Sequence, residues 1–159
     1  MAGYKLKISN SNTKEIVLDT NEEPYIIDGV SFKVNTFDDE CISRADDARI
    51  EVTISGKITT ENREKVKELA KWATDINRQT IYRNIALVVN NGGAEEGTSV
   101  VRHYDFESMF VIDYKESFVG SPVRSPKGKN NDSNGDDVGS YTLFIAQRAG
   151  KFKRDIFSD

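Results

Sequence analysis

Between Arg49 and Asn90 the chain carries a strand, an amphipathic helix and a second strand in direct succession, and this block restricts the fold more than any other stretch. From Arg49 to Ile58, Ile50, Val52 and Ile54 alternate with Glu51, Thr53 and Ser55, which gives a strand with one apolar and one wet face. Thr59-Thr60 followed by Glu61 marks a helix start, with hydroxyls for the unpaired N–H groups and an acid at the positive end of the dipole. Val66, Leu69, Ala70 and Ala73 recur at helical spacing, so a helix over about 60–75 packs one stripe on a sheet. Trp72 and Ile76 are expected to form a lid over that sheet. Thr80–Asn90 returns as a strand, with Ile81, Ile85, Leu87 and Val89 on one face.

The remaining segments read as further strands. Tyr4–Ile8 and Glu15–Asp19 alternate, and Pro24–Asp28 and Val30–Asn35 flank Asp28-Gly29, a dipeptide suited to a hairpin turn. Thr98–Phe118 carries the strongest pattern, with Tyr104, Phe106, Phe110, Ile112 and Tyr114 at one parity and a bend or bulge expected at Ser108-Met109. Ser140–Ala149 closes the set with Tyr141, Leu143 and Ile145. Sequential antiparallel strands with one inserted helix predict a mainly β, α+β domain spanning 1–159, a small antiparallel barrel or sandwich of about seven or eight strands. Two stretches lack the apolar residues to pack: the acidic segment at about 36–48, expected to be a mobile arm, and the Pro/Gly/Asn/Asp-rich segment at about 120–139, expected to be a disordered inserted loop.

Composition removes several classes of function. The net charge is −4 without a Lys/Arg cluster, which argues against nucleic-acid specificity. No apolar run approaches the roughly 20 residues of a membrane span. The first residues alternate like a strand and lack the apolar run of a signal peptide, so synthesis in the cytoplasm is expected. Cys41 is the one cysteine and His103 the one histidine. Cys41 lies among acids, which disfavour its thiolate, so a thiol-protease pairing with His103 is a poor fit. Asn130, Asp132, Asn134 and Gly135 imitate half a calcium loop, but Tyr141 stands where the bidentate Glu belongs. Asn91-Gly92-Gly93 lacks the Gly-Lys-Ser/Thr of a phosphate loop and reads as a hairpin tip. The chain is therefore expected to be no enzyme, with no cofactor and no metal.

Ile54-Ser55-Gly56-Lys57-Ile58-Thr59, Leu69-Ala70-Lys71-Trp72, Tyr82-Arg83, Val101-Arg102-His103-Tyr104, Phe110-Val111-Ile112-Asp113-Tyr114 and Tyr141-Thr142-Leu143-Phe144-Ile145, in this order around one helix, resemble the tail-tube superfamily. That superfamily covers phage tail tube proteins and the haemolysin-coregulated proteins of type VI secretion, and it includes tube-like proteins labelled "membrane-associated protease". The resemblance covers roughly two-thirds of the chain. It implies a β-barrel with a flanking helix, six copies closing into a ring, rings stacking into a hollow tube, and sheath and baseplate proteins of the same phage-tail-like, bacteriocin-like or secretion particle as partners. It also implies a place in an assembled particle that can leave the cell. Three regions are expected to carry assembly: the arm, with Thr36, Phe37, Asp38, Asp39, Glu40, Ile42 and Arg44; the tip, with Asn91, Gly92 and Gly93; and the tail, with Phe152, Ile156 and Phe157. The alternative is a monomeric ligand- or carbohydrate-binding β-barrel lined by the aromatic face Tyr104–Tyr114.

Overall fold

The computed structural model describes residues 2–35, 48–91, 100–120, 137–151 and 157–158. In chain order they form β1 (Gly3–Ser9), β2 (Ile16–Asp19), β3 (Gly29–Asn35), β4 (Arg49–Thr59), α1 (Arg63–Ala73), β5 (Arg83–Asn90), β6 (Val100–Phe118), β7 (Asp137–Gln147) and β8 (Phe157–Ser158). One sheet contains all the strands in the order β2-β1-β5-β6-β7-β4-β3, with β8 added to β6. Every pairing is antiparallel. The mainly β reading with one flanking helix holds, but the sheet does not close into a barrel. It curls instead: Phe32 of β3 stacks on Tyr104 and Phe106 of β6 at 5.2 and 5.7 Å, although β4 and β7 lie between those strands in the sheet.

Inside the curl lie Leu6, Leu18, Ile50, Ile54, Leu87, Leu143 and Ile145, all essentially inaccessible to water. They come from the alternating positions read in the sequence, because a pleated strand sends every second side chain to the same face. The helix supplies Val66, Leu69 and Trp72 to this core. Trp72 takes the place expected for Ala73, and its indole N–H donates to the Ile81 carbonyl at 2.9 Å. Ile76 is 93% exposed and is no part of the lid, because the helix has ended at Ala73 and the chain has turned away. The helix also begins later than the hydroxyl pair implied. Asn62 is the N-cap; its buried side chain bonds back to the Thr59 N–H and the Lys57 carbonyl, so Thr59-Thr60 form the turn before the helix.

Just past the helix, Asp75 accepts hydrogen bonds from the Thr80 hydroxyl at 2.6 Å and the Asn77 N–H at 2.9 Å, with Arg83 Nη2 at 3.5 Å. The Thr80 hydroxyl first, then the Asn77 N–H and Arg83, hold its carboxyl below the usual carboxylate range. Burial pulls the Arg83 guanidinium down and Asp75 opposes it, and the group stays charged throughout. A depressed carboxyl adds stability that is complete above its unfolded value of about 3.9 and disappears as pH falls through the folded value. Asp75→Asn should therefore lower the urea midpoint near neutral pH, and the gap to the parent should close on acidification below that value. A gap that stayed constant with pH would rule out this electrostatic contribution.

Two features of the backbone explain where the periodicity misleads. Ser108 has a positive φ of 52°, the register slips between Arg83/Ile85 and Met109/Phe106, and the Asn84 side chain accepts from the Ser108 N–H at 3.1 Å. This is the bulge expected at Ser108-Met109, and it reverses the parity of everything after it. Met109 is therefore fully buried, whereas Phe110, expected beside Tyr104 and Phe106, points to the outer face. A second slip between Val111 and Asp113 leaves Ile112 47% exposed and returns Tyr114 towards the core.

The other correction concerns Pro24–Asp28, which is neither a strand nor one arm of a hairpin. Tyr25 has a φ of 66°, Ile26 and Ile27 are buried, and Gly29 already belongs to β3, opposite Ser55. The segment crosses over β4 at Gly56, where any Cβ would lie 2.0 Å from the Ile26 carbonyl oxygen. That carbonyl accepts from the buried Tyr141 hydroxyl, whose own ionisation burial pushes far up. Tyr141→Phe should cost about 1–2 kcal/mol, because a buried carbonyl loses its donor while the ring volume stays. A loss below about 0.5 kcal/mol in urea titration would show that another group satisfies the Ile26 oxygen.

Candidate assembly surface

Register and direction sort the connections between the two ends of the sheet. Asn35 pairs with Arg49 and Glu51 with Ala146, so the segments after β3 and β7 leave side by side, level with Met109 of β6, whereas the segment after β5 leaves from Asn90, opposite Val100 at the far tip of β6. At the opposite end of β4 and β7 lie the start of helix α1 and the exit of the chain from β6 at Phe118. The roots of the arm and the tail thus lie side by side, which no spacing in the sequence could show.

Of the residues expected to carry assembly, Asn91 is exposed and follows directly on β5. Phe157 belongs to β8, where its backbone pairs with Tyr104 while Ser158 pairs with His103. The tail therefore returns to the β6 edge that β7 leaves uncovered beyond Met109. Thr36, Phe37, Asp38, Asp39, Glu40, Ile42 and Arg44 of the arm, Gly92 and Gly93 of the tip, Phe152 and Ile156 of the tail, and Cys41 lie outside the described residues. Most of the 120–139 stretch does too, but Asp137–Gly139, expected in the loop, already pair with β4 and begin β7. Gly139 lies against the Phe118 ring and the Ser117 carbonyl.

Several strand edges carry no neighbouring strand among the described residues: the outer margins of β2 and β3, and the β5 side of β6 from Phe110 to Phe118. Helix α1 packs on β6. Beyond the helix, Lys115–Phe118 are exposed in turn, so the end of β6 stands out from the core. Ile112, Phe118 and Val119 are 47%, 58% and 86% exposed there, and Val34 on β3 is 39% exposed. Apolar side chains along unpaired backbone mark a place where another chain can add.

Glu68 is held below the usual carboxylate range by its hydrogen bond to Lys71 at 2.8 Å, and Lys65 reaches Glu23 at 2.8 Å. Lys65 and Glu68 line a groove between β2 and α1 with Lys14, Glu15 and Ile16. Among the described residues no group of three or more His, Cys, Asp or Glu is placed to hold a metal ion. His103 Nε2 lies 3.5 Å from the Asp105 carboxylate, on a strand flanked by β5 and β8.

A feature the sequence reading missed lies on the outer face of the sheet. Phe110 meets Tyr82 edge to face at 5.9 Å, the Arg49 guanidinium lies 5.8 Å from the Phe110 ring, and that of Arg148 lies 4.7 Å from the Tyr82 ring. Four residues separated in sequence meet there because β4, β7 and β6 are neighbours in the sheet and the Ser108 bulge turns Phe110 outward. The only sequence signal was Ser108 itself.

No family model matches the chain. No curated protein matches it. Among solved structures it is similar to Hcp1 from Flavobacterium johnsoniae, with 13% identity, 91% of this chain and 90% of that chain covered, and a TM-score of 0.45. No helix among the described residues is long and apolar enough to cross a membrane.

Proposed function

We propose that the chain is a structural, single-domain subunit that assembles with copies of itself into rings of six and stacked rings, the inner tube of a contractile injection or secretion machine. Its work is mechanical, as a conduit for cargo, with sheath and baseplate proteins around it. The observation that carries this reading is the open sheet. A closed barrel has no edges, whereas among the described residues this sheet presents unpaired margins on β3 and on the far half of β6, the latter with exposed apolar side chains. Two different margins on one subunit suit a head-to-tail contact, and such a contact closes a ring when its rotation closes. The ordered motifs from Ile54 to Ile145 supply the tube-like character of the proposal. The interior of the curl is filled by its own side chains, Trp72, Tyr141 and Phe106 among the largest, which favours assembly over the binding of a ligand inside.

Sedimentation velocity and negative-stain microscopy of the purified chain test the proposal. Rings of about six subunits, with or without stacking, are expected. Monodisperse monomers at every attainable concentration would overturn it.

A further inference from the structure

We infer that the loop between α1 and β5 and the groove beside it form a self-complementary contact, in which Ile76 of each of two copies enters the groove between β2 and α1 of the other. Ile76 is 93% exposed, the most exposed of the large apolar side chains among the described residues. A lone exposed apolar residue is common on protein surfaces. What sets this one apart is the loop that carries it, which is bonded throughout. The Asp75 carboxylate accepts from the Asn77 N–H at 2.9 Å, and the Asn77 side chain accepts from the Gln79 N–H at 3.0 Å. The Asn77 carbonyl accepts from the N–H groups of Thr80 and Ile81 at 3.0 and 2.9 Å. The Asn10 amide then ties the Gln79 and Tyr82 carbonyls to the β1–β2 turn at 3.0 and 2.7 Å. A loop already ordered loses little entropy on binding, so little offsets the gain from burying the side chain it presents.

The groove matches this knob in size and in charge. Its volume is about 330 Å³, its apolar part comes from Ile16 and Val17, and three glutamates, Glu15, Glu64 and Glu68, outnumber its two lysines. Two residues after Ile76, Arg78 is exposed and has no carboxylate partner among the described residues. A carboxylate bound to one lysine keeps lone pairs for a second donor, so the groove's glutamates can receive the Arg78 fork. Loop and groove lie side by side: the Asn12 amide donates to the Gln79 carbonyl at 3.4 Å, and Lys14, two residues on, lines the groove. With knob and groove on one face, two copies must meet face to face, so each insertion brings the reciprocal one and the contact closes as a two-fold pair. It uses neither the β3 nor the β6 margin and so goes beyond the ring contacts proposed above. Two knobs in two grooves make a small interface, and the pair forms only at concentrations above those at which rings form.

The test is disulfide trapping between full chains that carry C41S. I76C chains mixed with V17C chains should give a covalent heterodimer under mild copper-phenanthroline oxidation. Its yield should exceed at least tenfold that of I76C mixed with E107C, a cysteine at an exposed position on β6. R78E in the I76C chain, with its circular dichroism spectrum unchanged, should lower the yield at least threefold, and E64R/E68R in the V17C chain should restore it. A yield no higher than the β6 control, no response to R78E, or no rescue by E64R/E68R would overturn the contact. Rings in the parent without trapping leave the assembly reading standing and the contact overturned. Trapping without rings upholds the contact while the assembly reading falls.

Discussion

Trp72→Ala is expected to destabilise the chain by about 3–5 kcal/mol, the range for removing a large aromatic side chain from a core. Three losses coincide at this position. The indole is 1% exposed and fills the space between the helix and the sheet, so its removal leaves a cavity that the fixed strands cannot close. Its N–H is a donor to the Ile81 carbonyl, which would then lack a partner. The Arg83 guanidinium lies 5.3 Å from the ring centroid and would lose that contact, keeping only Asp75 and the Thr80 carbonyl. Against a total stability of about 5–15 kcal/mol, the variant should be marginal or unfolded at room temperature, as urea titration would reveal. Trp72→Phe should retain most of the volume and lose about 1–2 kcal/mol through the orphaned carbonyl. If the alanine variant lost less than about 1 kcal/mol, the helix would not be held by this residue.

The second large effect is on assembly and leaves the fold in place. Ile112→Lys together with Phe118→Lys should make the chain monomeric at concentrations where the parent forms rings, with a thermal midpoint close to the parent's. Both side chains are about half exposed in the isolated subunit, so neither substitution removes much buried area within it. Both lie on the half of β6 that β5 does not cover. Lysines on such a margin repel an added strand and keep its backbone hydrated, the means by which natural edge strands avoid pairing. Exposed substitutions of this kind usually change stability by no more than about 0.5 kcal/mol. Unaltered rings in the variant would place the subunit contact elsewhere, with β2 and β3 as the remaining margins.

Most of the strand content was legible because the core-facing positions repeat at the period of a pleated strand. Ile50, Val52 and Ile54, then Leu87, then Leu143 and Ile145 were all assigned to the interior and all lie there. Errors cluster where something non-local decides. Phe110 was misplaced because a single residue in left-handed conformation, Ser108, resets the alternation. Pro24–Asp28 resembled a strand because it is apolar. Its Ile26 and Ile27 are buried by crossing β4 at Gly56, a site where only a residue without Cβ lets the two backbones approach. Hydrophobicity reports burial; it does not report the path by which the chain reaches the core.

By itself, then, the sequence determined that this is a mainly β chain with one amphipathic helix between Arg49–Ile58 and the strand ending at Asn90. Local periodicity, capping residues and glycine placement are properties of neighbours in the chain, and they survive whatever the tertiary arrangement is. Only the tertiary structure decided that the sheet stays open, that the roots of the arm and tail emerge side by side, and that Arg49, Arg148, Tyr82 and Phe110 meet on its outer face. Those facts depend on which strands lie side by side and on two slips of register. Pairing between residues as far apart as Glu51 and Ala146 is set by the packing of the whole core, which no short stretch of sequence contains.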